Sequence, residues 1–328
     1  MLIHPAFSLF LLSLTTSVII TVSANSWFVA WVGLEVNLLS FIPLMLEKKN
    51  KYSAESALKY FLIQALASIL IIVSISYSEK SYLTSLMVLL ALLIKSGAAP
   101  SHQWMPALVD GLSWPLMVLL MTLQKMNPLI LIFFLAKTDL AHKIMALYAT
   151  SSALIGALGG LSQTSLRKII AYSSIAHLSW ILATLLLNSW AWLVYFAFYA
   201  FVLISLISVL TQSQSSTLTH ITTMNSSYLS FITAACALSL GGLPPFTGFL
   251  PKFMIAQQLV YSDFAILLAP LLTGTFISLF FYARVLLTSL VLASSSTSTS
   301  KTPSEVNSTL LNFNLVGLLL PSLCVIYL

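Results

Sequence analysis

Charge is what this sequence has least of. Of its 328 residues only 7% are charged, 14 of them basic and 8 acidic. A soluble domain carries roughly 25%, so a surface this poor in charge would not stay in water. Cysteine is nearly absent: Cys236 and Cys324 stand far apart, each inside an apolar run. With no Cys-x-x-Cys and no Cys/His spacing, neither a metal site nor an iron–sulfur site is offered, and both thiols read as buried small apolar groups. Of five histidines only His177 falls well inside an apolar stretch, which argues against the paired ligands of a membrane haem. No redox centre, nucleotide-binding loop or catalytic nucleophile is recognisable. The formal net charge of +6 reflects loop lysines and calls for no nucleic-acid partner.

What the chain has instead is apolar length. It is 59% hydrophobic, with a mean hydropathy of +1.00. Stretches of about 20 apolar residues, enough for a hydrocarbon core of roughly 30 Å, follow one another from end to end. This predicts an all-α polytopic membrane protein of eleven spans: 3–22, 27–46, 57–77, 82–98, 113–136, 144–161, 168–187, 190–210, 226–260, 264–290 and 309–327. The first run lacks a basic leader and a small-residue cleavage site, so it is expected to remain as a span. Beyond the short linker SSSTSTSKTPSE (294–305), no soluble domain or low-complexity segment is expected.

With the N-terminus inside, the inner loops collect Lys48, Lys49, Lys51, Arg167, Lys168, Arg284 and Lys301, and the outer loops keep Lys80, Lys137 and Lys143. That bias favours this orientation, and an odd number of spans then puts the C-terminus outside. Two spans are interrupted: the fourth by Gly97 and Pro100, the ninth by Gly241, Gly242, Pro244 and Pro245. Both interruptions fall at the fourth place of a set of five, which points to two inverted five-helix repeats. The expected divisions are 1–136 and 137–290 for the repeats, with 291–328 as linker and final span.

Four charged residues lie too deep for an ordinary lipid-facing helix. Lys125, in LQKMNPL, is about eleven residues from either end of its span, roughly 16 Å at 1.5 Å per residue. An intramembrane lysine costs about 3 kcal/mol on insertion scales, so it is tolerated where a partner or water meets it. Asn127 and Pro128 follow at once, and the proline frees a carbonyl for hydration. Glu35, in WVGLEVNLLSFIPLM, is comparably deep, and a nearby lysine would keep it ionised. Lys95 ends an aliphatic run in LLIKSGAAPSHQW, and the apolar sequence beyond the break holds it inside. Lys252 stands beside the second break. Lys59, in SALKYFLIQ, lies only a turn or so inside its span, where snorkelling is an alternative. His177 reads either as a satisfied core histidine or as a proton relay, for which imidazole chemistry is suited. Removal from water weakens an ammonium's hold on its proton, so Lys95, Lys125 and Lys252 with Glu35 as counter-charge form a candidate proton relay. Moving one charge across 100 mV takes about 2.3 kcal/mol, and that energy has to come from outside this chain.

The stretches WVGLEVNLLSFIPLM, SALKYFLIQALAS, LLIKSGAAPSHQW, LQKMNPL, GALGGLSQTSLRKIIAYSSIAHLSW and GLPPFTGFLPKF, between residues 31 and 253, resemble motifs of the antiporter-like membrane subunits of respiratory complex I. Together they are specific; the last two spans match in hydropathy only. The resemblance implies two inverted five-helix repeats, each with a broken helix, and proton translocation coupled to quinone reduction elsewhere in the complex. On it, Glu35 and Lys95 match the family's ion pair, Lys125 its central lysine and Lys252 the lysine of the second broken helix, while Lys59 and His177 match positions of less defined role. Eleven spans resemble the shortened animal mitochondrial form, which implies the inner membrane with the N-terminus on the matrix side and the C-terminus on the intermembrane-space side. No cofactor is implied for this chain, with FMN, iron–sulfur clusters and ubiquinone handled by other subunits. The implied partners are the neighbouring antiporter-like and small membrane-arm subunits and phospholipids such as cardiolipin. Ser101, Gln103, Leu123, Asn127 and Ser179 depart from the family pattern and add polarity around the first break and Lys125. Two alternatives stay open: a subunit of a related multi-subunit cation/proton antiporter, and a scaffold whose buried charges only join helices. A standalone solute transporter would need a substrate-sized polar pocket that the sequence does not show.

Overall fold

The structure, a computed structural model, describes residues 5–47, 50–76, 82–136, 138–187, 189–221, 227–244 and 246–291. Pro245, Lys48, Lys49, Lys80, Lys137 and the whole of 292–328, with the expected span 309–327, lie outside the described residues. In chain order the helices are α1 (Pro5–Val22), α2 (Trp27–Leu46), α3 (Lys51–Ser76), α4 (Tyr82–Ser96), α5 (Trp104–Leu108), α6 (Trp114–Met121), α7 (Leu123–Leu135), α8 (Asp139–Leu161), α9 (Leu166–Leu186), α10 (Ala191–Ser213), α11 (Leu218–Ile221), α12 (Ser227–Gly241), α13 (Phe249–Val260) and α14 (Leu268–Val291). Short 3-10 turns at Val109–Gly111 and Ala265–Leu267 complete the helical structure of the described residues. Among these residues 7 segments are long and apolar enough to cross a membrane, and Phe7–Val22, Leu83–Ser96 and Leu229–Gly241 are shorter apolar helices.

Several helices overrun the apolar band that reveals them in sequence. The span expected at 57–77 is α3, which begins at Lys51. Asn50 and Ser53 close its first turn, the Ser53 hydroxyl donating to the Asn50 carbonyl at 2.7 Å. The span expected at 144–161 is α8, which starts at Asp139, a carboxylate suited to the positive end of a helix. In both cases hydropathy marks the membrane-embedded part and misses a polar first turn.

The faces of α3 are inverted relative to a soluble amphipathic helix. Ser53, Ser56, Tyr60, Gln64, Ser68 and Ser74 are buried, whereas Leu58, Leu62, Leu66 and Ile69 are 54–64% exposed. A surface of that kind is stable only against lipid. Buried hydroxyls are met within their own helices: Ser17 donates to the Leu14 carbonyl at 2.6 Å and Thr184 to that of Ile181 at 2.7 Å. Such back-bonding hides a polar group where no water is present.

The contacts divide the described residues into two compact units between Tyr148 and Ala149, inside α8. In the first unit α2 packs on α1 and α3, and α7 packs on α1 and α4. The α1–α2 approach needs Gly33, where a Cβ would lie 2.5 Å from Thr21 Cγ2. In the second unit α9 is the hub and buried on nearly every side; α12 packs on α10 and α14. Small residues again set the closest approach: a Cβ on Gly156 would stand 2.7 Å from the Ala176 nitrogen, as expected where helices join by close packing.

Candidate functional site

Among the described residues each unit has a helix that ends at a left-handed glycine inside an apolar run, and these two breaks are built alike. In the first unit α4 stops at Ser96 and Gly97 turns left-handed, with φ 76. The Gly97 amide donates to the Ile94 carbonyl at 3.1 Å and the Ala98 amide to the Leu93 carbonyl at 3.2 Å. In the second unit α12 stops at Gly241 and Gly242 turns left-handed, with φ 77. Its amide donates to the Ser239 carbonyl at 3.1 Å and the Leu243 amide donates to that of Leu238 at 3.4 Å. Both are Schellman ends, the termination that needs a residue at positive φ, and glycine takes that conformation without a Cβ clash. Gly241, the last residue of α12, lets that helix lie against Leu279. Pro100 and Pro244 stand in the turns that follow, where no helical amide is required.

A broken helix leaves carbonyls without helical donors, and the two units meet that need differently. In the first, the Ile94 carbonyl accepts from Trp104 Nε1 at 3.1 Å, and the Lys95 carbonyl from Gln64 Nε2 at 3.4 Å. In the second, Lys252 Nζ donates to the carbonyls of Leu240 at 3.2 Å and Gly241 at 2.8 Å. A basic group there complements the negative end of α12. The two lysines therefore stand in different relations to their breaks. Lys95 belongs to the last turn before its break, while Lys252 comes from the first turn after its own and reaches back.

The first unit buries Lys95 and Lys125 among polar groups, with Glu35 partly exposed. Lys95 is 6% exposed and Lys125 is 2% exposed. The Glu35 carboxylate, from α2, lies within electrostatic reach of both Lys95 and Tyr60. Among the described residues it forms no ion pair with Lys95, and its Oε1 is buried with no hydrogen bond. Lys125 sits in the first turn of α7, just past a distortion where the sequence suggests continuous helix. At Thr122 the backbone leaves the helical region, with φ -112 and ψ -86, and the Thr122 hydroxyl donates back to the Val118 carbonyl at 2.6 Å.

The neighbours of Lys125 fasten this turn to three helices. Tyr60 of α3 donates its hydroxyl to Gln124 Oε1 at 2.8 Å. Gln124 Nε2 donates to Asn37 Oδ1 of α2 at 2.9 Å. Asn127 accepts from the Thr21 hydroxyl of α1 at 3.1 Å and donates to Ser17 Oγ at 3.4 Å. Sequence reasoning marks Asn127 only as added polarity and misses Asn37, Tyr60, Gln64, Gln124, Ser17 and Thr21. The available signal is spacing, because Ser53, Ser56, Tyr60, Gln64 and Ser68 recur every three or four residues along α3.

Lys59 stands apart from this group. Its side chain is 45% exposed and pairs with Glu55 one turn away at 2.5 Å. In the second unit His177 is 7% exposed, and its Nδ1 lies 2.8 Å from the Tyr195 hydroxyl. The Tyr199 ring faces the imidazole at a centroid distance of 4.9 Å. Arg284 repeats the carbonyl-binding device at the end of α8, donating to Gln163 at 2.7 Å and Gly160 at 3.4 Å. Among the described residues no group of three His, Cys, Asp or Glu side chains is arranged to hold a metal ion.

Among the described residues, interrupted helices with buried amino groups and apolar outer faces define an all-helical membrane protein. Residues 24–78 and 77–278 match the family model described as NADH:quinone oxidoreductase/Mrp antiporter, TM. The NADH-ubiquinone oxidoreductase chain 2 of Anopheles gambiae is 39% identical over 290 residues, covering 85% of this chain and 84% of that one. The protein of the same name from Locusta migratoria is 33% identical over 296 residues, covering 87% and 85%. The chain belongs to the NADH-ubiquinone oxidoreductase chain 2 family. A chain of respiratory complex I from Thermus thermophilus, solved with bound aureothin, has the same fold, with a TM-score of 0.82 and 22% identity over 98% of this chain and 79% of that one. So does a chain of an archaeal membrane-bound sulfane sulfur reductase, with a TM-score of 0.81 and 16% identity over 95% of this chain and 72% of that one.

Proposed function

We propose that this chain is a proton-translocating, non-redox subunit in the membrane arm of NADH–ubiquinone oxidoreductase. The observation that carries the reading is the pair of glycine-ended helix breaks, each with a buried lysine beside it. Exposed carbonyl ends and amino groups are what a proton needs in order to be passed inside a membrane, where any other polar group would be costly. In the first unit Glu35, Lys95 and Lys125 carry the proton steps, with Glu35 as the counter-charge that acts on Lys95. In the second unit Lys252 and His177 do so. Lys59, half-exposed and paired with Glu55, is assigned no step of its own.

On this reading the chain makes eleven crossings as two inverted repeats, 1–136 and 137–290, followed by a linker and a final span. It lies in the mitochondrial inner membrane, with its N-terminus on the matrix side and its C-terminus on the intermembrane-space side. Electron transfer through FMN, iron–sulfur clusters and ubiquinone takes place in other subunits and supplies the energy. Neighbouring antiporter-like subunits, small membrane-arm subunits and phospholipids such as cardiolipin surround it.

The test is Lys125→Met in the intact complex, reconstituted in vesicles, with protons moved per NADH oxidised as the readout and assembly followed on native gels. An assembled complex with a reduced proton yield supports the reading. An assembled complex with unchanged yield overturns it and leaves Lys125 as part of a scaffold.

A further inference from the structure

In the first unit a single buried proton has two places to go. Tyr60 is 2% exposed, and its ring packs against Phe41 at a centroid distance of 5.2 Å and Trp104 at 6.1 Å. A ring clamped in this way leaves its hydroxyl free only to turn about the C–O bond, and a phenol has one proton to donate. Gln124 Oε1 takes that proton at 2.8 Å. The other acceptor is the Glu35 carboxylate, whose charge acts on Tyr60 and whose Oε1 is buried without a hydrogen bond. An anion is the stronger acceptor, yet the proton goes to the neutral amide. The cause lies at the other end of that amide. Gln124 Nε2 donates to Asn37 Oδ1 at 2.9 Å, which leaves the amide oxygen facing α3. Gln124 and Asn37 are both buried, so water does not compete for either. Asn37 shares α2 with Glu35, and Gln124 directly precedes Lys125. One amide therefore ties the helix of the counter-charge to the turn of the lysine and occupies the hydroxyl that faces both.

We propose that Gln124 is a positioning residue of the first unit: by engaging the Tyr60 hydroxyl it keeps that donor off Glu35 and leaves the carboxylate to act on Lys95. Without the Gln124 oxygen the hydroxyl turns to Glu35, and a carboxylate oxygen so engaged is no longer open to the lysine. That this affects proton passage rests on the function proposed above; the direction of the Tyr60 hydroxyl does not.

The test uses the intact complex with Gln124→Met, which keeps the length of the side chain and removes its acceptor, with Tyr60→Phe, and with the two combined. Protons moved per NADH are measured per assembled complex, and density maps of the native and Gln124→Met complexes show the partner of the Tyr60 hydroxyl. The native map should place that hydroxyl on Gln124, and the Gln124→Met map should place it within hydrogen-bond distance of Glu35, with part of the proton yield lost. Tyr60→Phe should lose less, and adding it to Gln124→Met should restore the yield to its own level. A merely structural role for Gln124 would make the double variant no better than Gln124→Met alone. A native hydroxyl on Glu35, a Gln124→Met hydroxyl that stays away from it, an unchanged Gln124→Met yield, a Tyr60→Phe loss as large as that of Lys125→Met, or a double variant without recovery overturns the proposal. The maps judge the hydroxyl directly, while the Lys125→Met result judges proton translocation separately.

Discussion

Replacing either break glycine with alanine separates the cost of the backbone from the cost of displacing a lysine. Gly97 and Gly242 hold almost the same left-handed conformation, with φ 76 and 77, so alanine at either site costs about 1–2 kcal/mol of backbone strain. Their surroundings differ. A Cβ at Gly97 would come 2.7 Å from Met105 Cε, the end of a flexible side chain that can swing aside, and 3.2 Å from Trp104 Cζ2, where a shift of a few tenths of an ångström suffices. A Cβ at Gly242 would come 2.8 Å from both Cδ and Nζ of Lys252, which pushes the amino group that bonds the Leu240 and Gly241 carbonyls. A buried carbonyl left without its donor costs about 1–3 kcal/mol, so Gly242→Ala totals roughly 2–5 kcal/mol. The assay is the reconstituted complex, scored for assembly and for protons moved per NADH. Gly97→Ala should assemble somewhat less well yet keep most of its proton yield per assembled complex. Gly242→Ala should lose both more assembly and more yield. Equal behaviour of the two variants would refute the argument, because it would mean that the contact of Lys252 with the break contributes nothing.

Gln124→Leu removes the acceptor of Tyr60 and the donor to Asn37, so it should cost about 1–3 kcal/mol for each buried group left unpaired; Tyr60→Phe should be milder, and the yield of assembled complex ranks the two. Gly33→Ala drives a Cβ into Thr21 at 2.5 Å and should cost about 1–3 kcal/mol by overpacking, seen as a lower melting temperature of the purified complex. Lys59→Ala removes a half-exposed one-turn ion pair with Glu55, which after solvent screening is worth about 0.3–0.5 kcal/mol; proton yield should be unaffected, and a marked fall would give Lys59 a part in the relay.

Both breaks are legible in the sequence because glycine and proline are costly inside an apolar run unless a helix ends there, and the bounds of α2 follow directly from hydropathy. The distortion at Thr122 is not legible. Threonine is ordinary in a membrane helix, and Pro128 six residues later draws attention to the wrong turn. The deep charges are legible one at a time, since each is expensive on its own. The neutral network around Lys125 is not, because Asn, Gln and Tyr lower a hydropathy average only slightly and their partners lie on other helices. Asn127 illustrates the limit: its sequence position marks it as polar next to a lysine, but only the fold brings it to Ser17 and Thr21, more than a hundred residues away. Lys59 shows the converse. It is charged and within an apolar run, but it projects away from the polar stripe that includes its neighbour Tyr60.

The two breaks use one backbone solution with opposite chemistry at the exposed carbonyls, and that difference has consequences for what each can do. Where neutral donors occupy the carbonyls, as Trp104 and Gln64 do at the first break, the lysine in that turn is not needed to satisfy them. Its amino group can answer to Glu35, whose carboxylate is not locked in an ion pair. Where the lysine itself occupies the carbonyls, as Lys252 does, leaving them costs two hydrogen bonds unless water takes its place. The first arrangement suits a charge that is released easily, and the second suits one that moves only when its site is hydrated. The asymmetry therefore predicts that substitutions which dry the second unit slow proton passage more than equal changes in volume around Lys95.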